Sequence, residues 1–337
     1  MLFAKRTNKH PYSPNLFITI ARKLYGDCGI EHINDIKKNS AIYIFHGVRR
    51  DKKNPSDEKH VLVKVLLSAD ELSKTKFENE AFYYSQFNHD HLIKKEFSRK
   101  INFGYKLGKK NCIVLEYVDG VDLELVINSM AVTKEKIPEK TAIDIIIKTL
   151  SALNEVHHLK DKKENNLNIV HADISPHNIL LSKTGQVKLI DFGISVIKEK
   201  QKKIKKDIID GKISYMSPEQ ILGEPIDQRT DIFSIGIVLA EMLLTTKLNP
   251  TVISSDKVRE NAINAHYPAI NESSLDEALK KILAKALEKD PNNRYQDALL
   301  MIKALEDYKE KNGLVSRSQD IVAVVKTIFM YLSSGKT

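Results

Sequence analysis

Three oxygen-bearing side chains mark the stretch of this sequence best suited to chemistry. Asp173 and Asn178 stand in His171-Ala172-Asp173-Ile174-Ser175-Pro176-His177-Asn178, and Asp191 follows in Val187-Lys188-Leu189-Ile190-Asp191-Phe192-Gly193. Between them, the apolar Ile179-Leu180-Leu181 and a turn predict a hairpin whose ends present two carboxylates and an amide. Converging donors of this kind suit a hard cation such as Mg²⁺, with phosphate oxygens and water completing its octahedron. Each residue alone reads as an ordinary loop side chain; the set points to metal-assisted chemistry on a phosphate.

The surrounding elements must hold that hairpin in place. From about Ile36 to Tyr117, short apolar runs at Ala41 to Phe45, Val61 to Leu67 and Cys112 to Tyr117 predict strands, and Phe77, Ala81, Tyr84 and Phe87 predict a helix over Lys74 to Phe87. Beyond Gly120 the character changes. Ile143, Ile146, Ile147, Leu150, Leu153 and Val156 form one helical stripe, and further helices are expected at Asp231 to Leu244, Leu275 to Leu287 and Ala298 to Tyr308. The expected architecture is α+β and bilobal: a β-rich lobe over residues 31–118, a larger helical lobe over 119–310, and extensions at 1–30 and 311–337. Glu116 to Asp122 reads as the hinge, and clefts between lobes are where small ligands bind. Lys160 to Asn168 and Lys198 to Gly211 read as charged loops.

At 337 residues and 42% hydrophobic, the chain has enough apolar material for a packed core. Its two cysteines are too few for a disulfide framework, which points to a reducing, cytoplasmic setting. No apolar run is long enough for a membrane span, and Ile321 to Leu332, interrupted by Lys326, reads as a surface or packing helix. The net charge of +9 favours anionic partners in general without specifying nucleic acid.

The sequence resembles the eukaryotic-like serine/threonine protein kinases, whose catalytic loop reads H-R-D-x-x-x-x-N and whose metal motif is D-F-G, and it looks like a divergent, bacterial-type member. The resemblance runs through most of residues 36 to 308. It implies ATP and Mg²⁺ as cofactors, protein hydroxyls as substrates, Asp173 as the group that orients the hydroxyl and takes its proton, and Asn178 and Asp191 as metal ligands. Val61-Leu62-Val63-Lys64 is similar to the family's strand with its phosphate-binding lysine, and Glu80 occupies the place of the helix glutamate that pairs with it; Glu78 is the competing candidate. In Leu115-Glu116-Tyr117-Val118-Asp119-Gly120-Val121-Asp122, backbone groups at Glu116 and Val118 would meet adenine, Leu115 would guard the back pocket and Asp122 would bond the ribose. Leu180 would floor the base, and Ile44 is a further nucleotide-contacting position. Ser217-Pro218-Glu219 resembles the A-P-E segment, with Arg294 as the expected partner of Glu219, and Asp231 matches the aspartate that ties the catalytic loop to the core.

The departures carry expectations of their own. The lid strands read Ile36-Lys37-Lys38-Asn39-Ser40-Ala41-Ile42, without G-x-G-x-x-G, so the lid is expected to be stiffer and to bind ATP more weakly. Leu62 replaces a small alanine and narrows the adenine pocket. Ala172 replaces the arginine that would gather a phosphorylated loop. Ser175 and Lys212 exchange the family's usual lysine and threonine, which predicts that Lys212 reaches back toward Asp173 to supply the missing charge. A lysine strip at 198, 200, 202, 203, 205 and 206 is expected to recruit an acidic substrate or an anionic surface, against the plainer reading of a solvated loop. Two rivals remain: an ATP-sensing pseudokinase, motivated by the lid and Leu62, and a small-molecule phosphotransferase, disfavoured by Ser217-Pro218-Glu219 with Arg294. The terminal Gly335-Lys336-Thr337 is not a P-loop, because Met330 stands where its first glycine belongs.

Overall fold

The computed structural model describes residues 14–38, 41–50, 57–105, 108–192, 213–248 and 255–334. The chain divides into two compact units, one of residues 1–88 and 93–117 and one of residues 89–92 and 118–337.

The first unit contains α1 (Pro14–Cys28), β1 (Ile30–Lys38), β2 (Ile42–Arg50), β3 (Glu58–Leu66), α2 (Glu71–Tyr84), β4 (Lys95–Asn102) and β5 (Lys109–Glu116). Its strands form an antiparallel sheet in the order β1-β2-β3-β5-β4. Because side chains alternate across a strand, Val61, Val63 and Val65 fall on one face with their partners Phe45, Tyr43, Val114 and Cys112. That face is sealed. Ile20 and Leu24, one helical turn apart on α1, are fully buried in the same cluster, so a segment expected as an extension packs as part of this unit. Burying each such aliphatic side chain contributes about 1.5–3 kcal/mol. The opposite face carries His46 and Ile44 on β2 and Leu62 and Lys64 on β3. Helix α2 starts where the Asp70 carboxylate accepts the Ser73 N–H at 2.7 Å, and it buries only Phe77 and Tyr84.

The second unit contains β6 (Gly120–Asp122), α3 (Leu123–Thr133), α4 (Glu139–His157), β7 (Ile179–Ser182), β8 (Val187–Leu189), α5 (Pro218–Leu222), α6 (Gln228–Leu244), α7 (Ser255–Ile263), α8 (Pro268–Glu272), α9 (Glu277–Ala286), α10 (Ala298–Lys311) and α11 (Ser318–Ser333). β6, β7 and β8 form a small antiparallel sheet. Gly120 is required there, since a Cβ would lie 2.0 Å from the Leu181 carbonyl oxygen. Helix α6 is buried from Thr230 to Leu243, packs against α4 and α9, and is the axis of the unit. A helix buried all round needs apolar residues all round, so its two buried acids, Asp231 and Glu241, must be paired. The segment expected as a surface or packing helix is α11, which lays Ile321, Val324, Val325 and Ile328 on α3, α4 and β7. Among the described residues no helix is long and apolar enough to cross a membrane.

Candidate active site

In the first unit the expected phosphate-binding lysine, Lys64, is buried. Its Nζ lies 2.6 Å from Glu80 Oε1 on α2, and the two side chains are 5% and 14% exposed. Glu78, the competing candidate, accepts instead from Asn111 at 3.0 Å and faces Lys100 at 3.5 Å. The helical phase explains the choice: Phe77 and Tyr84 point into the unit, and Glu80 lies on their side of α2. Ile44 is the cross-strand partner of Lys64, and Leu62 that of Leu115, so these expected nucleotide contacts share one sheet face with the lysine. The Glu116 N–H donates to the Lys94 carbonyl at 2.9 Å. Asn39 and Ser40, assigned to the lid, lie outside the described residues.

In the second unit the loop 171–178 is fixed from below. The Asp231 carboxylate, in the first turn of α6, accepts the backbone N–H groups of His171 and Ala172, each at 2.8 Å, and meets His157 Nε2 at 2.8 Å. These two N–H bonds hold Ala172 at φ +58°, a left-handed conformation that costs a non-glycine residue about 1–2 kcal/mol. Burial pushes the His171 imidazole below its ordinary pKa, so the ring is neutral. Its Nε2–H then donates to the Ile190 carbonyl at 3.1 Å, and its Nδ1 accepts the Asp173 N–H at 3.3 Å. Asn178 Nδ2 donates to the Asp173 carbonyl at 2.7 Å, and the Ile190 N–H donates to the Asn178 carbonyl at 2.9 Å. Asp173, Asn178 and the residue preceding Asp191 are thereby stitched together. Asp191 itself takes φ +54° at the end of the β7–β8 hairpin.

This donor set fits a metal-bound phosphate. With its amide nitrogen committed to the Asp173 carbonyl, Asn178 keeps its Oδ1 as the atom it could offer a cation, with Asp191 as the other expected ligand. Among the described residues no group of three His, Cys, Asp or Glu could hold a metal unaided. A cation here would therefore draw most of its ligands from phosphate and water, as Mg²⁺ does.

Behind the loop, Arg294 grips Glu219 with two bonds of 2.8 Å, and Thr230 donates to the same carboxylate at 2.7 Å. Burial alone would raise the Glu219 carboxyl, but Arg294 and Thr230 outweigh it and hold it below the usual range. The Ser217 cap begins α5, and Gln220 Nε2 reaches from that helix to the Ala172 carbonyl at 2.9 Å.

Other expected residues are placed differently. Asp122 Oδ1 caps α3 by accepting the Leu125 N–H at 2.7 Å, and its Oδ2 lies 3.6 Å from His177 Nδ1. Its carboxylate is thus engaged before any ribose arrives. Leu180 is half-buried on β7 opposite Asp122 and Lys188, and Ser175 is half-buried at the entry of the 176–178 turn. Lys212 and the lysines from 198 to 206 lie outside the described residues, as does the expected reach of Lys212 toward Asp173. Sequence reasoning missed His157, Gln220 and the pairing of Glu241 with Tyr215 and Lys247. Only a polar residue at a core position of a helical stripe, as at His157 and Glu241, could have signalled them.

Comparison with known proteins gives a consistent result. The protein kinase domain profile matches residues 46–305. The chain is 31% identical over 220 residues to the tyrosine-protein kinase MasK of Myxococcus xanthus, covering 64% of this chain and 34% of that protein. It is 36% identical over 213 residues to the probable serine/threonine-protein kinase CPE1738 of Clostridium perfringens, covering 62% and 29% respectively. For the serine/threonine-protein kinase PknB of Mycobacterium leprae the figures are 32% over 249 residues, 72% and 37%. The matches thus span about a third of each relative's length. Among solved structures, the Mycobacterium tuberculosis PknI kinase domain, as a double mutant, superposes with a TM-score of 0.55 at 17% identity, covering 83% of this chain and 95% of that one.

Proposed function

The chain belongs to the protein kinase family, and from that membership we propose that it is an active kinase acting on serine and threonine hydroxyls of protein substrates. ATP with Mg²⁺ supplies the phosphoryl group and neutralises its charge as the group moves. In this reading the Asp173 carboxylate orients the incoming hydroxyl and takes its proton. Asn178 Oδ1 and the Asp191 carboxylate hold the metal. Lys64, fixed by Glu80, grips the α- and β-phosphates. Ile44, Leu62, Leu115 and Leu180 border the base, backbone groups at Glu116 and Val118 bond it, and Asp122 meets the ribose as its cap geometry allows. We take 31–118, with α1 added, and 119–310 as the kinase lobes, the cytoplasm as the setting, and acidic proteins as the preferred substrates.

The observation that carries the proposal is the loop of Asp173 and Asn178, tied by bonds through Asp231, His171 and Asn178, which supports a fixed position for the carboxylate that would take the proton. The second reading is a pseudokinase that only senses ATP. That second reading draws its support from the bulk of Leu62 opposite Leu115. Incorporation of labelled phosphate into generic proteins and into the chain itself, with phosphosites mapped, separates the two. Asp173→Ala is expected to lower transfer by about 10²–10⁴-fold, and Asp191→Ala to abolish its Mg²⁺ dependence together with activity. Equal incorporation by wild type and both variants would overturn the proposal.

A further inference from the structure

We infer that α11 is a positioning element for the bound nucleotide, and that it acts through Lys183, a positioning residue that clamps the segment 118–122 to that helix. The inference rests on the kinase reading above, because it is the base of ATP that this segment would hold.

Helix α11 lies beyond residues 46–305, the part of the chain that matches the protein kinase profile. It is nevertheless built into the second unit along its whole length. At its start, Asp320 pairs with Lys140 of α4 at 2.8 Å and accepts the Arg317 N–H at 2.7 Å. The turn between β7 and β8 closes on the same end. There Gly185, at φ +83°, comes so near that a Cβ would lie 2.5 Å from the Ser318 carbonyl oxygen, an approach and a backbone angle that suit glycine alone. Farther along, Ile321, Val324, Val325 and Ile328 are buried where the helix packs on α3, α4 and β7.

Toward the other end stands Lys183, just after β7. Its Nζ lies 4.7 Å from the centre of the Phe329 ring. The same ammonium meets both oxygens of the Asp119 carboxylate, at 2.9 and 3.0 Å, and the Lys183 backbone N–H donates to the Asp119 carbonyl at 2.8 Å. Asp119 follows Val118, whose backbone is expected to bond adenine. It also leads directly into β6, where Gly120, Val121 and Asp122 pair with Ser182, Leu181 and Leu180. Leu180 is the residue assigned to the floor of the base. One strand pair thus carries the floor and an edge of the proposed nucleotide site, and α11 supports it.

The Lys183 and Asp119 side chains are 50% and 61% exposed, so their ion pair alone is weak. What the ring adds is a fixed place for the ammonium, between an aromatic face and a carboxylate. Moving residue 119 away from β7 gives up both contacts and the backbone bond. None of these groups is assigned to the transferred phosphate, so their loss should be felt in nucleotide binding and not in the transfer step.

The test is the KM for ATP and kcat of Lys183→Met, Phe329→Ala and the double variant, beside a direct titration of each protein with ATP and Mg²⁺ by calorimetry. Each single substitution should weaken ATP, in KM and in the titration, by roughly two- to five-fold, the scale of one exposed ion pair or cation–π contact. The kcat at saturating ATP and the KM for the protein substrate should not change. Because both side chains act on one ammonium, the double variant should lose less than the product of the two single losses. Lys183→Arg keeps the charge and can stack on Phe329, and should restore wild-type ATP binding; a merely structural role would lower thermal stability without this split between KM and kcat. Unchanged ATP binding in both single variants, or a loss that Lys183→Arg leaves unrepaired, overturns the inference while wild-type phosphoryl transfer upholds the kinase reading. ATP binding that responds as expected without any transfer by wild type overturns the kinase reading alone, and a wild type that binds no ATP overturns both.

Discussion

In the N-terminal unit the buried Lys64 is paired with Glu80 on a helix that buries two side chains, whereas in the C-terminal unit the loop bearing Asp173 is tied by Asp231, His171, Asn178 and Gln220. Behind that loop stands a second buried pair, Glu219 with Arg294. The difference is one of redundancy. Bonds from several residues hold the loop of Asp173 and Asn178, so losing any one leaves the others. Lys64 meets Glu80 across to α2, so whatever moves that helix removes this partner.

The contrast is broken most forcefully at Arg294. Replacing it by methionine strands the Glu219 carboxylate in the core and is expected to cost about 3–5 kcal/mol in denaturant unfolding. The pH profile sharpens the point. Because Arg294 and Thr230 hold the native Glu219 carboxyl below its ordinary value, that stabilisation is present above the unfolded pKa and lost as pH falls through the folded one. In Arg294→Met the stranded carboxyl titrates high, so this contribution reverses and stability falls as pH rises. A wild-type and variant pair with parallel pH profiles in the acid range would contradict this. Leu24→Ala comes next: it opens a cavity under the outer face of the sheet and is expected to cost about 2–5 kcal/mol. If α1 were a dispensable flank, thermal unfolding would not move. Glu80→Gln keeps the shape and removes the charge, and should lower kcat/KM by roughly 10²-fold, the scale of one lost preorganised contact, with little change in unfolding. Equal loss of stability in Glu80→Gln and Arg294→Met would erase the distinction between the units.

The sequence made the second unit legible because its signals are dense and local. The stripe from Ile143 to Val156 and the apolar run of α6 predicted long helices, and His171 to Asn178 with Asp191 located the loop and its hairpin. In the first unit, β2, β3 and β5 were visible through their apolar runs, which are buried almost without interruption, while β4 and most of β1 were not. Those two strands are the sheet edges, and Lys95-Glu96-Phe97-Ser98-Arg99-Lys100 shows why: an edge strand needs charge more than apolar alternation to stay unpaired with other chains. Helix α1 was hidden for the opposite reason. Its Ile20 and Leu24 are apolar, but only the folded sheet reveals the face that they cover. Glu80 could be chosen over Glu78 from helical phase alone, whereas the cap role of Asp122 depends on where α3 begins. Lys247 carried no signal, since a lone lysine after a helix reads as solvent-exposed until Glu241 and Glu124 are seen around it.

The smallest expected effect tests whether redundancy in the C-terminal unit extends to the helix cap. Ser217 is fully buried, its hydroxyl accepts the Gln220 N–H at 3.4 Å, and its own N–H donates to Gln220 Oε1 at 3.0 Å. Ser217→Ala removes the two 3.4 Å bonds of the hydroxyl, to the Gln220 N–H and to Gln220 Oε1, and keeps the shorter backbone one, so its cost should lie near the low end of N-cap losses, about 0.5–1 kcal/mol. Gln220 still reaches the Ala172 carbonyl in that variant, and kcat should be unchanged. Gln220→Leu removes the cap bond and the tether together and leaves the Ala172 carbonyl short of a donor at the residue held at φ +58°. It should therefore lower kcat as well as stability. A kcat for Gln220→Leu equal to that of Ser217→Ala would show that Asp231, His171 and Asn178 fix the loop and that the tether from α5 is dispensable.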